Sequence, residues 1–409
     1  MKFKRISFKN TEGADLSARI DFPLDGIPRA FAVFAHCFTC TKNSKAIATI
    51  TSALTQKGLA VLRFDFTGLG ESQGDFADTN FSSNVSDLIA AAEFLSSFYE
   101  APQLLIGHSF GGTACLQAAR DLPQVKAVAT IGSPAHPRHV VHLLAHARKD
   151  IEQTGAAKVL LAGRPFQIKK QFLDDLENAR VDQVLPELKC ALLVLHSPRD
   201  EVVGIENAAQ IYQAARHPKS FISLDNADHM MSDSRDSDYV GAVIAQWAAR
   251  YIRPSERKDS KPPSNEHAVV ASIGGSWFRT AMVARGHGII ADEPVHLGGT
   301  DAGPTPYELV GAGLAACMAI TVRMYADGKA WPLEGVTIRC AHSRIDARSI
   351  PDKGSRRGKI DRFSAKIALD GSLTEDQRKR LMMVAERCPV HQTLLSEAMV
   401  ETEEERELT

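Results

Sequence analysis

The stretch Leu104-Leu105-Ile106-Gly107-His108-Ser109-Phe110-Gly111-Gly112 reads as a buried strand that passes through a tight glycine turn into a helix, with one hydroxyl at the bend. Its centre matches G-x-S-x-G. Glycines two residues to either side let the backbone make a strained strand-to-helix turn and leave the serine exposed. The helix that follows points its first amides at any oxyanion formed on that serine.

Working outward, short apolar runs alternate with helical patterns. Ala30–Ala35, Ala60–Phe64, Gln103–Gly107, Val125–Ile131, Ala191–His196 and Ser220–Leu224 read as strands buried on both faces, and the alternation predicts a parallel sheet with helices on both sides. Residues 133–186 interrupt it with helical and hairpin-like sequence and read as a small inserted cap. In a parallel sheet, reactive groups gather at the carboxyl ends of the strands. Asp200 and His229 follow later strands, in the order serine, acid, histidine, so His229 would take the Ser109 proton and Asp200 would orient the imidazole. Asp225 and Asp228 are alternative acids. An oxyanion pocket needs two backbone amides, and those of Phe38, after an earlier strand, and Phe110 are the candidates. Phe38, Phe110, Leu143, Leu144 and Phe166 are the candidate apolar contacts for a substrate.

From Lys4 to Tyr251 these motifs, together with Arg63-Phe-Asp-Phe-Thr-Gly-Leu-Gly-Glu-Ser-Gln-Gly74, resemble the α/β-hydrolase superfamily and especially its small esterases. The resemblance implies a serine hydrolase of the carboxylesterase kind acting on small acyl esters. One position departs from the family: its usual His-Gly is His36-Cys37 here. Cys37 and Cys40 spell C-x-x-C without the second pair that zinc would need. His136, His139, His142 and His146 would share one face of a helix, but no acidic or cysteine ligand accompanies them. Neither metal nor cofactor is expected.

The chain has 409 residues, 44% of them hydrophobic, which favours more than one domain. A net charge of -1 supplies no electrostatic reason to expect nucleic acid. No signal-peptide pattern opens the chain, and no run approaches the roughly 18 apolar residues of a membrane span. The expectation is therefore a cytoplasmic protein with neither nucleic acid nor membrane as partner. Seven scattered cysteines fit reduced thiols better than a disulfide scaffold.

Residues 254–265 are rich in proline, serine and charge and read as a linker, separating residues 1–253 from 266–409. Beyond it the pattern changes: strands near 268–273, 277–284 and 334–341, a long helix near 306–326, a strand near 359–369, a helix near 374–387 and a final strand. Grouped strands with two central helices suggest an α+β domain. Thr305, Pro306 and Glu308 read as the capping box that opens the first helix. Cys317 lies in that helix, and Cys388 falls at the end of the second. Two cysteines some seventy residues apart are, on their own, more often inert core residues. With the motifs around them, residues 267–400 resemble the OsmC/Ohr family, intertwined dimers that reduce organic hydroperoxides with two cysteines. The resemblance implies Cys317 as the peroxidatic thiol, Cys388 as the resolving thiol and a homodimer through 266–409. The peroxidases of that family carry a glutamate directly after the helix-opening proline, where this chain has Tyr307, with Glu308 one residue later.

Overall fold

The computed structural model describes residues 3–38, 40–161, 164–253, 269–274, 278–347 and 358–404. The expected linker at 254–265 lies outside them. The chain forms two compact units, Met1–Gly274 with Ala281–Ile289, and Gly275–Thr280 with Ile290–Thr409.

The first unit opens with β1 (Phe3–Lys9), β2 (Asp15–Asp21), β3 (Ala30–Ala35), α1 (Lys45–Gln56), β4 (Leu59–Phe64), α2 (Phe81–Phe98), β5 (Leu104–His108), α3 (Phe110–Ala118) and β6 (Ala127–Ile131). The inserted region carries a 3-10 turn (Pro137–Leu144), α4 (Arg148–Thr154), the hairpin β7 (Ala156–Leu161) and β8 (Arg164–Lys169), α5 (Lys170–Asn178) and α6 (Val181–Val184). β9 (Ala191–His196), α7 (Glu206–Ala214), β10 (Lys219–Ser223) and α8 (Ser234–Ala248) follow. Eight strands make one sheet in the order β1-β2-β4-β3-β5-β6-β9-β10. It is parallel from β4 to β10, with β1 and β2 added antiparallel at one edge. This is an α/β-hydrolase sheet.

β3, β4, β5, β6 and β9 are buried along their whole length, because helices cover both faces and period-2 polarity would strand charge in the core. β10 departs from the expectation of burial on both faces. As an edge strand it leaves Phe221 exposed. The N-terminal hairpin β1–β2 was not among the expected strands, since its burial alternates instead of running continuously apolar.

Farther along come β11 (Val269–Ile273), β12 (Thr280–Ala284) and β13 (His287–Ala291), which form a three-stranded sheet. Residues 269–274 and 281–289 of this stretch group with the first unit. Arg29 Nη2 donates to the Gly286 carbonyl at 2.7 Å within that unit.

The second unit contains α9 (Pro306–Gly328), β14 (Gly335–Asp346), β15 (Lys359–Asp370), α10 (Glu375–Ala385) and α11 (Pro389–Leu395). β14 and β15 pair antiparallel. Leu314, Met318, Val322 and Ala326 recur every four residues on α9 and pack with Leu381, Ala385 and Cys388, the spacing that places side chains on one helix face. By length and composition alone α9 would cross a membrane, contrary to the expectation that nothing approaches a span. Core helices reach the same length and hydropathy, and Arg323 on α9 donates to the Leu333 and Glu334 carbonyls. The expected final strand is instead α11: Pro389 takes the first helical position and the Cys388 sulfur accepts the His391 amide at 3.3 Å. Cys388 therefore begins a short helix and does not end α10.

Candidate active sites

Ser109 sits between β5 and α3 with φ 54° and ψ -125°, a conformation that costs a non-glycine residue about 1–3 kcal/mol. The flanking glycines make it attainable. A Cβ on Gly107 would stand 2.4 Å from the Gly111 carbonyl oxygen and the Gly112 Cα, and one on Gly111 would stand 2.4 Å from the His36 carbonyl oxygen. These neighbours are backbone and cannot yield, so α3 starts against the end of β3 only because both positions are glycine.

The sheet then brings three distant residues together. His229 Nε2 lies 3.0 Å from Ser109 Oγ, and His229 Nδ1 lies 2.7 Å from Asp200 Oδ2. A carboxylate at Nδ1 keeps the proton there and leaves Nε2 as the acceptor for the serine hydroxyl. Asp200 Oδ1 accepts the Val202 and Val203 amides at 2.9 and 2.8 Å. Burial works against the Asp200 charge, but the bonds from His229 and these amides outweigh it and hold the carboxyl below its ordinary range. The alternative acids are engaged elsewhere: Asp225 accepts the Ser223 hydroxyl and Asp228 the Ser232 amide.

Three further histidines close the strand ends around this chain of bonds. His108 Nε2 meets the His229 carbonyl at 2.8 Å, His196 Nε2 meets the Val203 carbonyl at 2.8 Å, and His36 Nδ1 meets the Cys37 carbonyl at 2.7 Å. Each is buried, and burial lowers the pKa of each, that of His108 to about 4. They are neutral donors that anchor the loops of the base, the acid and the candidate oxyanion donor. Sequence reasoning passed over them, although all three share a visible mark, a histidine at or just past the carboxyl end of an apolar strand.

Phe38 and Phe110 lie side by side, with ring centroids 5.2 Å apart. Phe38 also packs on Phe76 and Phe172, and Phe76 packs on Phe166. Leu144 is fully buried in the core. The Leu143 side chain lies outside what the structure describes. The histidine stripe is broken: His136 caps the 3-10 turn, His139 meets the Val202 carbonyl, the His139 and His142 rings are 5.7 Å apart, and His146 falls past the end of the turn. Cys37 and Cys40 form a disulfide, which corrects the expectation of reduced thiols throughout. Their sulfurs and a ring nitrogen of His108 lie within 4.8 Å of one another, a set that could hold a soft cation only once reduced.

In the second unit Cys388 is buried beside the half-buried Cys317. Burial pushes the Cys388 thiol up and Cys317 adds to this, while the His391 and Val390 amides pull it down. Glu308 closes the capping box with Thr305, whose amide donates to it at 2.8 Å. Tyr307 stacks on His342, with centroids 4.1 Å apart, and His342 meets Asp361 at 2.9 Å. The His391 ring meets the Glu386 carbonyl, so it is the backbone of His391 that reaches Cys388.

Comparison with known proteins accounts for both halves. The profile described as serine aminopeptidase, S33 matches residues 26–161, and that of OsmC-like proteins matches residues 299–403. The chain is a fusion of an α/β-hydrolase domain with an OsmC-like domain. The crystal structure of the esterase domain of a Rhodothermus marinus protein matches 61% of this chain and 99% of its own length, at 55% sequence identity and a TM-score of 0.53. Mouse alpha/beta hydrolase domain-containing protein 10 shares the fold at 22% identity and a TM-score of 0.51, over 60% of this chain and 99% of that chain. Among curated proteins, the mitochondrial palmitoyl-protein thioesterase ABHD10 of Rattus norvegicus is 26% identical over 213 residues, which is 50% of this chain and 70% of that protein.

Proposed function

We propose that the hydrolase domain cleaves carboxylic esters, and thioesters with them, of small acyl groups through Ser109, His229 and Asp200. The observation that carries this is the continuous path from Ser109 Oγ through His229 to Asp200. His229 Nε2 takes the hydroxyl proton as Ser109 Oγ attacks the acyl carbon, and the Phe38 and Phe110 amides receive the oxyanion. The proton then passes to the departing alcohol or thiol. Water, deprotonated by the same imidazole, releases the acid. The similarity to an esterase domain at 55% identity and to proteins named thioesterases supports acyl transfer, and the phenylalanine cluster beside Ser109 suits an apolar acyl group.

The OsmC-like domain adds a candidate thiol peroxidase. In this reading Cys317 attacks an organic hydroperoxide and releases the alcohol, and Cys388 displaces water from the resulting sulfenic acid to close a disulfide. The proximity of the two sulfurs supports it. The protein acts as a cytoplasmic homodimer joined through residues 266–409. A fluorophosphonate probe and a hydroperoxide-consumption assay on the full chain test the two activities. Labelling lost in Ser109→Ala is expected. An unlabelled wild type overturns the hydrolase reading, and an unconsumed hydroperoxide overturns the second.

A further inference from the structure

Cys37 stands where a glycine would be expected in the loop that presents Phe38. It keeps a negative φ, so the side chain is accommodated without strain. Its carbonyl accepts the His36 ring nitrogen at 2.7 Å and the Cys40 amide at 3.1 Å. The disulfide closes the same turn a third time. On its far side the loop is held at Lys42, whose amide and ammonium donate to Asp65 at 2.6 Å and whose carbonyl accepts Arg63. The disulfide thus ties the short stretch between two anchors, and Phe38 lies inside that stretch. The sulfurs also pack against His108, the neighbour of Ser109 that holds the His229 carbonyl.

A bond between residues three apart removes little freedom from an unfolded chain, so a general stabilising role does not account for it. Its position does. We propose that the Cys37–Cys40 disulfide positions the Phe38 amide for oxyanion binding, and that its reduction by a small dithiol lowers hydrolytic turnover. This rests on the serine-hydrolase reading of the same site. In the exchange, a dithiol thiolate attacks one sulfur and forms a mixed disulfide. The second thiol of the reductant then displaces the protein sulfur. Two electrons and two protons pass to Cys37 and Cys40, and the reductant leaves as a cyclic disulfide. The freed loop no longer holds Phe38 at its place, so the loss falls on the transition state and appears in kcat more than in KM. The other cysteines of this domain, Cys115 and Cys190, are buried thiols raised by desolvation, which confines the response to this pair.

The test follows hydrolysis of a short-chain aryl ester by the full-length protein, before and after dithiothreitol. Alkylation and peptide mass mapping report the state of Cys37 and Cys40. With the pair mapped as reduced, kcat should fall about tenfold or more, with KM within about twofold, since loss of one oxyanion donor costs about 10²–10³. Reoxidation by oxidised glutathione should restore it. Cys40→Ala should show the lowered kcat with or without dithiothreitol, and circular dichroism should show it folded. A mapped, fully reduced wild type with unchanged kcat overturns the proposal, as does a Cys40→Ala variant as fast as the oxidised wild type. Fluorophosphonate labelling separates the two readings. Labelling of Ser109 without redox dependence sinks the positioning role alone, whereas no labelling in either state sinks the hydrolase reading and this inference together.

Discussion

Ser109 and Cys317 are the two nucleophile candidates of the chain, and their surroundings differ in kind. Around Ser109 the ends of β3, β5 and β9 and the loop after β10 each supply a histidine or carboxylate held in a hydrogen bond: His108 reaches the loop of His229 and His229 the loop of Asp200, while His36 and His196 each close their own loop. Around Cys317 the helix buries one face only. Val310, Ile320 and Met324 of α9 and Met382, Leu394 and Leu395 of the following helices stand exposed. The comparison teaches that a hydroxyl, weakly nucleophilic at its own pKa, needs a base fixed by a rigid sheet within one chain. A thiol needs little more than a second thiol and an environment, which another copy of the chain can complete.

The hardest blow to the comparison is Ser109→Ala. Ester turnover should drop by about 10⁴-fold or more while hydroperoxide consumption stays as in the wild type, read by parallel assays on one preparation. If both activities fall, the two centres are not independent. On the other side, Cys317→Ser should abolish hydroperoxide consumption, and Cys388→Ser should trap a sulfenic acid. Intact mass reads these as no loss of two hydrogens in the first and one added oxygen in the second. An unmodified Cys388→Ser after hydroperoxide treatment would leave the domain as a scaffold.

Asp200→Asn should cost about 10³–10⁴ in kcat by presenting the wrong imidazole tautomer to Ser109. Asp225→Asn and Asp228→Asn, whose partners are Ser223 and Ser232, should stay within severalfold. A crippled Asp228→Asn would reassign the acid. The exposed apolar face sharpens the contrast in another way: light scattering should give a dimer for the full chain, and Ile320→Asp with Met324→Asp should give a monomer that still hydrolyses ester. A wild-type monomer contradicts the assembly.

The smallest effect concerns pH. His108 falls from 6.5 to about 4 because burial disfavours its charged form, with the His229 charge adding to it. The unfolded chain takes up this proton as pH drops through 6.5, but the folded chain does not until about 4. Stability is therefore complete above the first value and declines by about 3 kcal/mol on the way to the second. His108→Gln should flatten that part of a melting-temperature profile between pH 6.5 and 4. An unchanged slope assigns the acid sensitivity elsewhere, with His36 and His196 next in line.

The strands of the parallel sheet and the glycine turn at Ser109 were legible in the sequence because continuous apolar runs and G-x-S-x-G are local patterns, written in adjacent residues. The order Ser109, Asp200, His229 was legible for the same reason, each residue lying at or just past a strand end. Glu308 as a helix cap was legible too, in its spacing three residues after Thr305. What only the tertiary structure decided involves groups far apart in sequence or local choices with near-equal alternatives. Asp200, held by the Val202 and Val203 amides, is the carboxylate that meets Nδ1 of His229, while Asp225 and Asp228 bond to Ser223 and Ser232. His36, His108 and His196 matter through backbone carbonyls that no side-chain pattern records. The segment after α10 could have been strand or helix until Cys388 and Pro389 closed a helix start. The Cys37–Cys40 pair could have been thiols, ligands or a disulfide, and the folding of the loop between His36 and Lys42 is what brought the sulfurs together.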